Sequence, residues 1–199
     1  MKIGVLGGTF DPVHLGHLMI AEEGRRRLGL ERVLFIPAGQ PWLKADRGIT
    51  PADHRLKMLK LAIAGSPYFE ISTIEVDRPG PSYAVDTMVA LRQKLGKKAE
   101  LSFLMGWDSL DELPLWKEPG KLVQLCHIGA FPRAGYEKPD LSILEKSIPG
   151  ISLRVLWVEV TPADISASDI RDRVAEGLPI VHLVPESVAR YIEEHKLYR

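Results

Sequence analysis

The chain has 199 residues, of which 45% are hydrophobic and 26% charged, and 26 Lys and Arg balance 26 Asp and Glu. This length and composition are typical of a globular protein with one sizeable core, so we expect a single domain over 1–199. The balanced charge argues against a general nucleic-acid or acidic-membrane surface, although a local basic pocket is still compatible with it. The single cysteine, Cys126, excludes an intrachain disulfide, and no apolar run has the length of a membrane span. We therefore expect a cytoplasmic protein with neither a nucleic-acid nor a membrane partner.

Short apolar runs alternate with helical patterns along the chain. Strands are predicted, in chain order, at 2–6, 32–36, 69–76, 101–105, 127–131 and 153–158. Helices are predicted at 15–28, 51–64, 82–95, 166–176 and 185–195. The polar stretch 133–150 is predicted to be loop-rich and the most mobile region. This order predicts an α/β fold with a Rossmann-like, doubly wound parallel sheet, which collects ligands at the carboxyl ends of its strands.

The first predicted strand runs directly into the sequence GGTFDPVHLGH. Gly7 and Gly8 permit a tight turn and let a charged ligand approach the backbone amides closely. The helix predicted to begin near His14 directs its free N–H groups and its positive dipole end to the same place, which attracts a phosphate. His14 and His17 are three residues apart, so they share one helix face and can donate hydrogen bonds to phosphate oxygens.

Other interpretations of this stretch remain open. The glycines match neither the dinucleotide fingerprint nor the P-loop, so a strand-to-helix turn without a ligand is one alternative. A pair of surface or capping histidines is a second alternative. A metal site formed by Asp11, His14 and His17 is a third, and it is disfavoured because no further ligand cluster is visible in the sequence.

Two segments carry a resemblance to a known superfamily. GGTFDPVHLGH at 7–17 resembles the first signature of the nucleotidylyltransferases, and ISASDIR at 165–171 resembles their second, a Ser/Thr-rich helix start that ends in Arg. More narrowly, the chain resembles the bacterial nicotinate-nucleotide adenylyltransferases along essentially its whole length. The matching segments include FIPAGQPWLK at 35–44, PSYAVDTM at 81–88, FLMGWDSLDELPLWKEP at 103–119, FPRAGY at 131–136 and VPESVARYIEEHKLY at 184–198.

The resemblance implies a nucleotidylyltransferase-type fold and an enzyme of NAD biosynthesis. Such an enzyme transfers the adenylyl group of ATP to nicotinic acid mononucleotide, giving deamido-NAD and pyrophosphate, with Mg²⁺ accompanying ATP. Because the acceptor phosphate is already a nucleophile, positioning and charge neutralisation suffice for catalysis. Two alternatives stay open: a transferase with a phosphopantetheine or nicotinamide mononucleotide acceptor or one using CTP, and a non-catalytic nucleotide-binding regulatory module. Assembly into a homo-oligomer is compatible with the sequence but is not predicted by it.

The resemblance also implies roles for individual residues. The implied catalytic residues are His14, His17, Lys44 and Arg171. The implied ATP-binding residues are Gly7, Gly8, Thr9, Phe10, His17, Gly106, Asp108, Ile165, Ser166, Ser168 and Arg171. The implied acceptor-binding residues are Lys44, Tyr83, Thr87, Trp116 and Arg133, with Trp116 stacking on the nicotinate ring. No residue is assigned to a metal. Without the resemblance, Lys44 is a surface lysine, ISASDIR a helix N-cap and Trp116 a core residue.

Three positions depart from the family pattern. Leu43 stands where the family usually has a histidine, and this weakens any expectation of an imidazole in that loop. Ala167 removes one hydroxyl from the second signature but leaves those of Ser166 and Ser168. Trp107 replaces a smaller residue and is expected to reshape the nucleotide pocket.

Overall fold

The computed structural model describes residues 1–41, 48–96 and 98–199, and strands alternate with helices through them. The strands are β1 (Lys2–Gly8), β2 (Arg32–Pro37), β3 (Phe69–Ile71), β4 (Glu100–Gly106), β5 (His127–Phe131) and β6 (Val155–Trp157). The helices are α1 (Leu15–Arg27), α2 (Ala52–Ile63), α3 (Ala84–Leu95), α4 (Trp107–Asp111), α5 (Pro119–Leu125), α6 (Leu141–Ser147), α7 (Ala167–Ala175) and α8 (Glu186–Glu194). Short 3₁₀ helices lie at Leu113–Leu115 and Ile151–Leu153.

All six strands form one parallel sheet in the order β3-β2-β1-β4-β5-β6. The order reverses between the neighbouring strands β1 and β4, which creates a switch point at their carboxyl ends. Gly7 and Gly8 end β1 there, and Gly106 ends β4. The predicted doubly wound α/β fold is confirmed, and this topology places the N-terminal signature beside the segment that follows β4.

Helices cover both faces of the sheet because the strands are apolar on both sides. One core cluster joins the sheet to buried residues of α3, α4, α5 and α6, such as Met88 and Leu122. The other joins it to α1, α2, α7 and α8, through residues such as Ala21, Met58 and Ile170. Each cluster packs its helices against the sheet, and this packing fixes the position of the helix ends that border the switch point.

Two predicted strands are shorter in the structure. The strand predicted at 69–76 ends at Ile71, because a turn follows in which the Thr73 hydroxyl donates to Asp77 over 2.6 Å and the Asp77 amide donates to the Thr73 carbonyl. The strand predicted at 153–158 covers Val155–Trp157, since the preceding residues form a 3₁₀ turn. In both places an alternating sequence pattern extends beyond the hydrogen-bonded ladder.

The stretch 133–150 was predicted to be loop-rich, and this is wrong for its second half. Helix α6 begins there because Asp140 caps it, its carboxylate accepting a 2.8 Å hydrogen bond from the Ser142 amide. Helices α4 and α5 were also not predicted, since five and seven residues are too few to give a clear period. Across the described ranges, no helix combines the length and apolar character that crossing a bilayer requires.

Candidate active site

Two adjoining cavities open at the carboxyl ends of β1 and β4. The larger has a volume of about 390 Å³ and is bordered by residues that include Gly7, Trp116 and Arg133. The smaller has a volume of about 140 Å³, and Arg171 borders it. Gly8, Thr9 and His17 line both cavities, so they form the wall between them. A ligand group held at this wall is reachable from both sides.

His14 and His17 lie at the start of α1 with their rings stacked 3.7 Å apart. The backbone amide of His14 donates to Nδ1 of His17 over 3.2 Å, so a neutral His17 carries its proton on Nε2. This contact presets His17 as a hydrogen-bond donor from the far side of its ring. The Phe10 ring also packs against His17 in an edge-on arrangement. The sequence pattern therefore yields one oriented donor in the cavity wall.

His14 lies behind His17 and lines neither cavity. It is 7% exposed, and its Nδ1 has no hydrogen-bond partner among the described residues. Burial, and secondarily the positive charge of Arg133, lower the pKa of His14 from 6.5 to about 4. At neutral pH the His14 ring is uncharged, so it supports His17 by stacking and adds no positive charge beside it.

An ion pair joins the ends of β4 and β5 in the larger cavity. Arg133 Nη1 lies 3.2 Å from Asp108 Oδ2, while Asp108 Oδ1 is buried without a hydrogen-bond partner in the described part of the chain. A Cβ at Gly106 would overlap that Oδ1 atom, so glycine is what lets the carboxylate fold back to the strand end. Oδ1 is therefore packed against the strand end, and Oδ2 is the carboxylate oxygen that meets Arg133 in the cavity.

The opposite wall of the larger cavity combines an indole with a buried carboxylate. Trp116 packs edge-on against Phe103, with ring centroids 6.0 Å apart. Glu75 is 7% exposed and accepts a 2.6 Å hydrogen bond from Thr87 Oγ1, and burial raises its pKa. Thr87 is itself 1% exposed, so it contacts the cavity only through Glu75.

The second signature reaches the smaller cavity through Arg171. Its Nη1 donates to the Asp11 carbonyl over 2.8 Å and its Nη2 donates to Ser168 Oγ over 3.2 Å. Ser166 caps α7, since its Oγ accepts from the Asp169 amide over 3.0 Å. Ala167, the position that departs from the family pattern, lines the cavity where a hydroxyl would otherwise lie. Arg171 and His17 therefore border one cavity although α7 and α1 are far apart in sequence.

The structure brings together many of the residues that were predicted from the sequence to bind substrate or to act in catalysis. Those that line one or both cavities are Gly7, Gly8, Thr9, Phe10, His17, Gly106, Asp108, Trp116, Arg133 and Arg171. Those that line neither are His14, Tyr83, Thr87, Ile165, Ser166 and Ser168. Trp107 also lines neither, because it packs edge-on against Trp157. Lys44 and Leu43 lie outside the described residues.

Sequence reasoning missed a hydrogen-bonded group at the cavity edge. Ser82 Oγ accepts from the Gly39 and Gln40 amides at 2.9 and 3.2 Å and donates to the Glu75 carboxylate. A Cβ at Gly39 would overlap the Glu75 carbonyl oxygen, so the two segments meet backbone to backbone. Gly39 and the Pro-rich segment 79–81 that precedes Ser82 are both visible in the sequence. A single sequence does not reveal that these two segments meet.

A family model described as cytidylyltransferase-like matches residues 5–173. The match spans both signatures, the sheet apart from the first three residues of β1, and the residues around the two cavities. The chain therefore belongs to the cytidylyltransferase-like family.

Curated relatives narrow this assignment. A protein of Dehalococcoides mccartyi named "Probable nicotinate-nucleotide adenylyltransferase" is 48% identical, with 100% of this chain and 97% of the relative covered. A protein of Thermomicrobium roseum with the same name is 50% identical, with 100% and 92% covered. Within the family, the group to which this chain is similar over its full length is that of the nicotinate-nucleotide adenylyltransferases.

A solved structure supports the fold. Plasmodium falciparum nicotinic acid mononucleotide adenylyltransferase, solved in complex with APC, superposes with a TM-score of 0.81 at 20% identity, covering 99% of this chain and 96% of the other. The same enzyme in complex with NaAD gives a TM-score of 0.79. At this identity the likeness is one of architecture.

Proposed function

We propose that this chain transfers the adenylyl group of ATP to nicotinic acid mononucleotide, releasing pyrophosphate and forming deamido-NAD. The observation that carries the proposal is the pair of adjoining cavities with His17 in their common wall. An adenylyl transfer needs a donor phosphate and an acceptor phosphate to meet at one point, with a leaving pyrophosphate held beyond it. The names of the full-length relatives supply the two substrates.

The larger cavity suits the acceptor. Its volume of about 390 Å³ falls in the range of small-molecule sites, which is roughly 300–1,000 Å³. We assign the nicotinate ring to the face of Trp116 and the phosphate to the side that Arg133 supplies, because a flat cation-bearing ring gains from an indole face and an anion from a guanidinium. The Asp108 carboxylate also lines this cavity; the resemblance assigns it to ATP, so it would accept from the ATP ribose where the two substrates meet.

The smaller cavity suits the phosphates of ATP. Arg171 supplies a guanidinium there, and the Gly8–Thr9 backbone borders both spaces. His17 would donate from Nε2 to the phosphoryl group at the common wall, where negative charge grows in the transition state. The direct phosphate contacts expected of His14, Ser166 and Ser168 remain predictions, because in this structure those side chains stack on or cap neighbouring groups.

The reaction needs no proton acceptor from the protein. The attacking group is a phosphate oxygen that is already ionised near neutral pH, and the leaving group is pyrophosphate. Catalysis is therefore positioning plus charge neutralisation. We propose that Mg²⁺ arrives with ATP as part of the substrate. Within the described ranges, no group of three or more His, Cys, Asp or Glu side chains is close enough to hold an ion.

Pyrophosphate release with a panel of acceptors tests the proposal. The purified protein is incubated with MgATP and, separately, nicotinic acid mononucleotide, nicotinamide mononucleotide and phosphopantetheine, and with CTP in place of ATP. We expect the acid mononucleotide to exceed the amide in kcat/KM by well over tenfold, because a site built for a carboxylate leaves groups unpaired with the amide. Equal rates would refute the acceptor assignment. ATP binding without release for every acceptor would favour the regulatory module.

A further inference from the structure

Asp11 is a buried hub behind the smaller cavity. Its side chain and backbone hold three segments of the chain, and the residue is 5% exposed. Oδ2 accepts from the Thr50 amide over 3.1 Å, and Oδ1 accepts from the Tyr198 hydroxyl over 2.7 Å. Its carbonyl oxygen accepts from Arg171 Nη1 over 2.8 Å. The position of the cavity guanidinium therefore depends on where the Asp11 backbone is held.

Tyr198 reaches this hub from the segment that follows α8. Lys196 and Tyr198 both have left-handed backbone conformations, with φ of 52° and 66°, which side chains other than glycine rarely adopt. Such conformations persist where surrounding contacts fix them. Burial, and then the charge of Asp11, raise the pKa of Tyr198, so its hydroxyl remains a donor at every pH of interest.

A buried arginine also holds the loop that carries Thr9 and Asp11. Arg55 is 2% exposed, and its guanidinium donates to the carbonyl oxygens of Thr9, Ala38 and Thr50 at 2.8 to 2.9 Å. Burial lowers the pKa of Arg55, and the nearby carboxylate of Asp11 offsets this lowering in part. The loop that carries Thr9 is thus held on one side by Arg55 and on the other by the Asp11 hub.

We propose that Tyr198 is a positioning residue for the pyrophosphate end of the site: by holding the Asp11 carboxylate, it fixes the carbonyl that orients Arg171. This inference rests on the proposed function, since it assumes that the smaller cavity receives phosphates. Tyr198 lines neither cavity, so it touches no substrate and acts through Asp11. The acceptor cavity shares one wall with the smaller cavity, but its Trp116 and Arg133 side lies on other elements, so acceptor binding should depend little on this hydroxyl.

A selective change in affinity distinguishes positioning from a general structural role. Tyr198→Phe removes the hydroxyl and keeps the ring, so its packing should persist. We expect the dissociation constant for pyrophosphate, measured by calorimetry, to rise about fivefold, which is in the range of coupling between residues that share one hydrogen-bond network. The dissociation constant for nicotinic acid mononucleotide should change less than about twofold. The matched control is Tyr68→Phe, a half-exposed tyrosine whose ring lies under Arg25.

Asp11→Asn provides a second variant in case Tyr198→Phe folds poorly. An amide is a weaker acceptor for the phenol than a carboxylate, so the same selective loss of pyrophosphate affinity is expected. Unchanged pyrophosphate affinity in the folded variants would overturn the inference. An equal loss for both ligands would also overturn it, because it would mean a general structural role.

A double-mutant cycle tests the route through Arg171. If Tyr198 acts by orienting that guanidinium, then Tyr198→Phe should cost less than about twofold in pyrophosphate affinity when Arg171→Ala is already present. Full additivity would overturn the proposed route. A wild-type protein that binds neither pyrophosphate nor MgATP would instead refute the proposed function itself, which separates the two failures.

Discussion

The free energy of unfolding should depend on pH through the buried His14, and one substitution separates this contribution from those of the other titratable groups. Burial, and then Arg133, lower its pKa to about 4 in the folded state, whereas an exposed imidazole in the unfolded chain titrates near 6.5. The unfolded state therefore takes up a proton first as the pH falls. The His14 contribution to stability is complete above pH 6.5 and is lost between that value and about 4.

The magnitude follows from the two pKa values. At about pH 5, the unfolded imidazole is protonated and the folded one is mostly neutral. That pH is about 1.5 units below the unfolded pKa, and each unit corresponds to about 1.4 kcal/mol. Wild-type protein should therefore lose about 2 kcal/mol of unfolding free energy through His14 between about pH 7 and pH 5. The substitution His14→Asn removes the titration and supplies a side chain that helix N-caps favour.

Urea unfolding at the two pH values measures this effect. Carboxylates also titrate in this pH range, but their contributions are the same in both proteins and cancel when the two pH dependences are compared. The pH-dependent loss should be about 2 kcal/mol smaller in His14→Asn than in wild type, at unchanged m-value. Equal pH dependence of the two proteins would refute the burial and neutrality of His14. A steeper loss in the variant would do the same.

Three further predictions concern activity. His17→Ala should lower kcat by roughly 10²-fold, since it removes a preset donor to the reacting phosphoryl group; a loss in ATP affinity alone would mean that the imidazole only binds. Trp116→Ala should raise KM for the mononucleotide about tenfold with KM for ATP unchanged, and equal changes in both would place the indole outside the acceptor site. Gly106→Ala should lower kcat/KM for ATP at least about tenfold, because the added methyl displaces the Asp108 carboxylate; unchanged kinetics would mean that this carboxylate binds no substrate.

Each substitution has a matched control elsewhere in the chain. His127→Ala removes an imidazole at the amino end of β5, away from the switch point. Trp157→Ala removes an indole that packs on Trp107 and lines neither cavity. Gly120→Ala adds a methyl where no atom lies within 4 Å. All three should keep steady-state constants within about twofold of wild type.

The doubly wound parallel sheet, and the glycines at the ends of two of its strands, could be predicted because they follow from local pattern. Apolar runs that alternate with helical periods specify a parallel sheet, and glycines after β1 and β4 indicate where its backbone admits a ligand. The proximity of His14 and His17 could likewise be predicted, since three-residue spacing on a helix start is a local property, whereas the hydrogen bond that orients His17 was not predicted. Each of these predictions needs only residues that are close in sequence.

Contacts between distant segments could not be predicted. Glu75 looks like part of a strand, yet it lies within the turn that follows β3 and accepts a hydrogen bond from Thr87. Thr87 was expected at the substrate and instead supports a cavity residue. Arg55 sits among charged and polar neighbours in the sequence, so nothing local indicates that its guanidinium is buried against three carbonyls. A single sequence carries no information about which loops meet.

The hydrogen bond between Arg171 and the Asp11 carbonyl spans 160 positions of sequence, and this separation sets an order of events during synthesis. A ribosome-bound chain that has emerged through β6 already has every described strand of the sheet, but it lacks Arg171 at the smaller cavity, which we propose receives the phosphates of ATP. Nucleotide affinity should therefore arise late, once α7 docks against the loop that was translated first. Nucleotide binding should therefore require that folding has already brought α7 to the loop that follows β1.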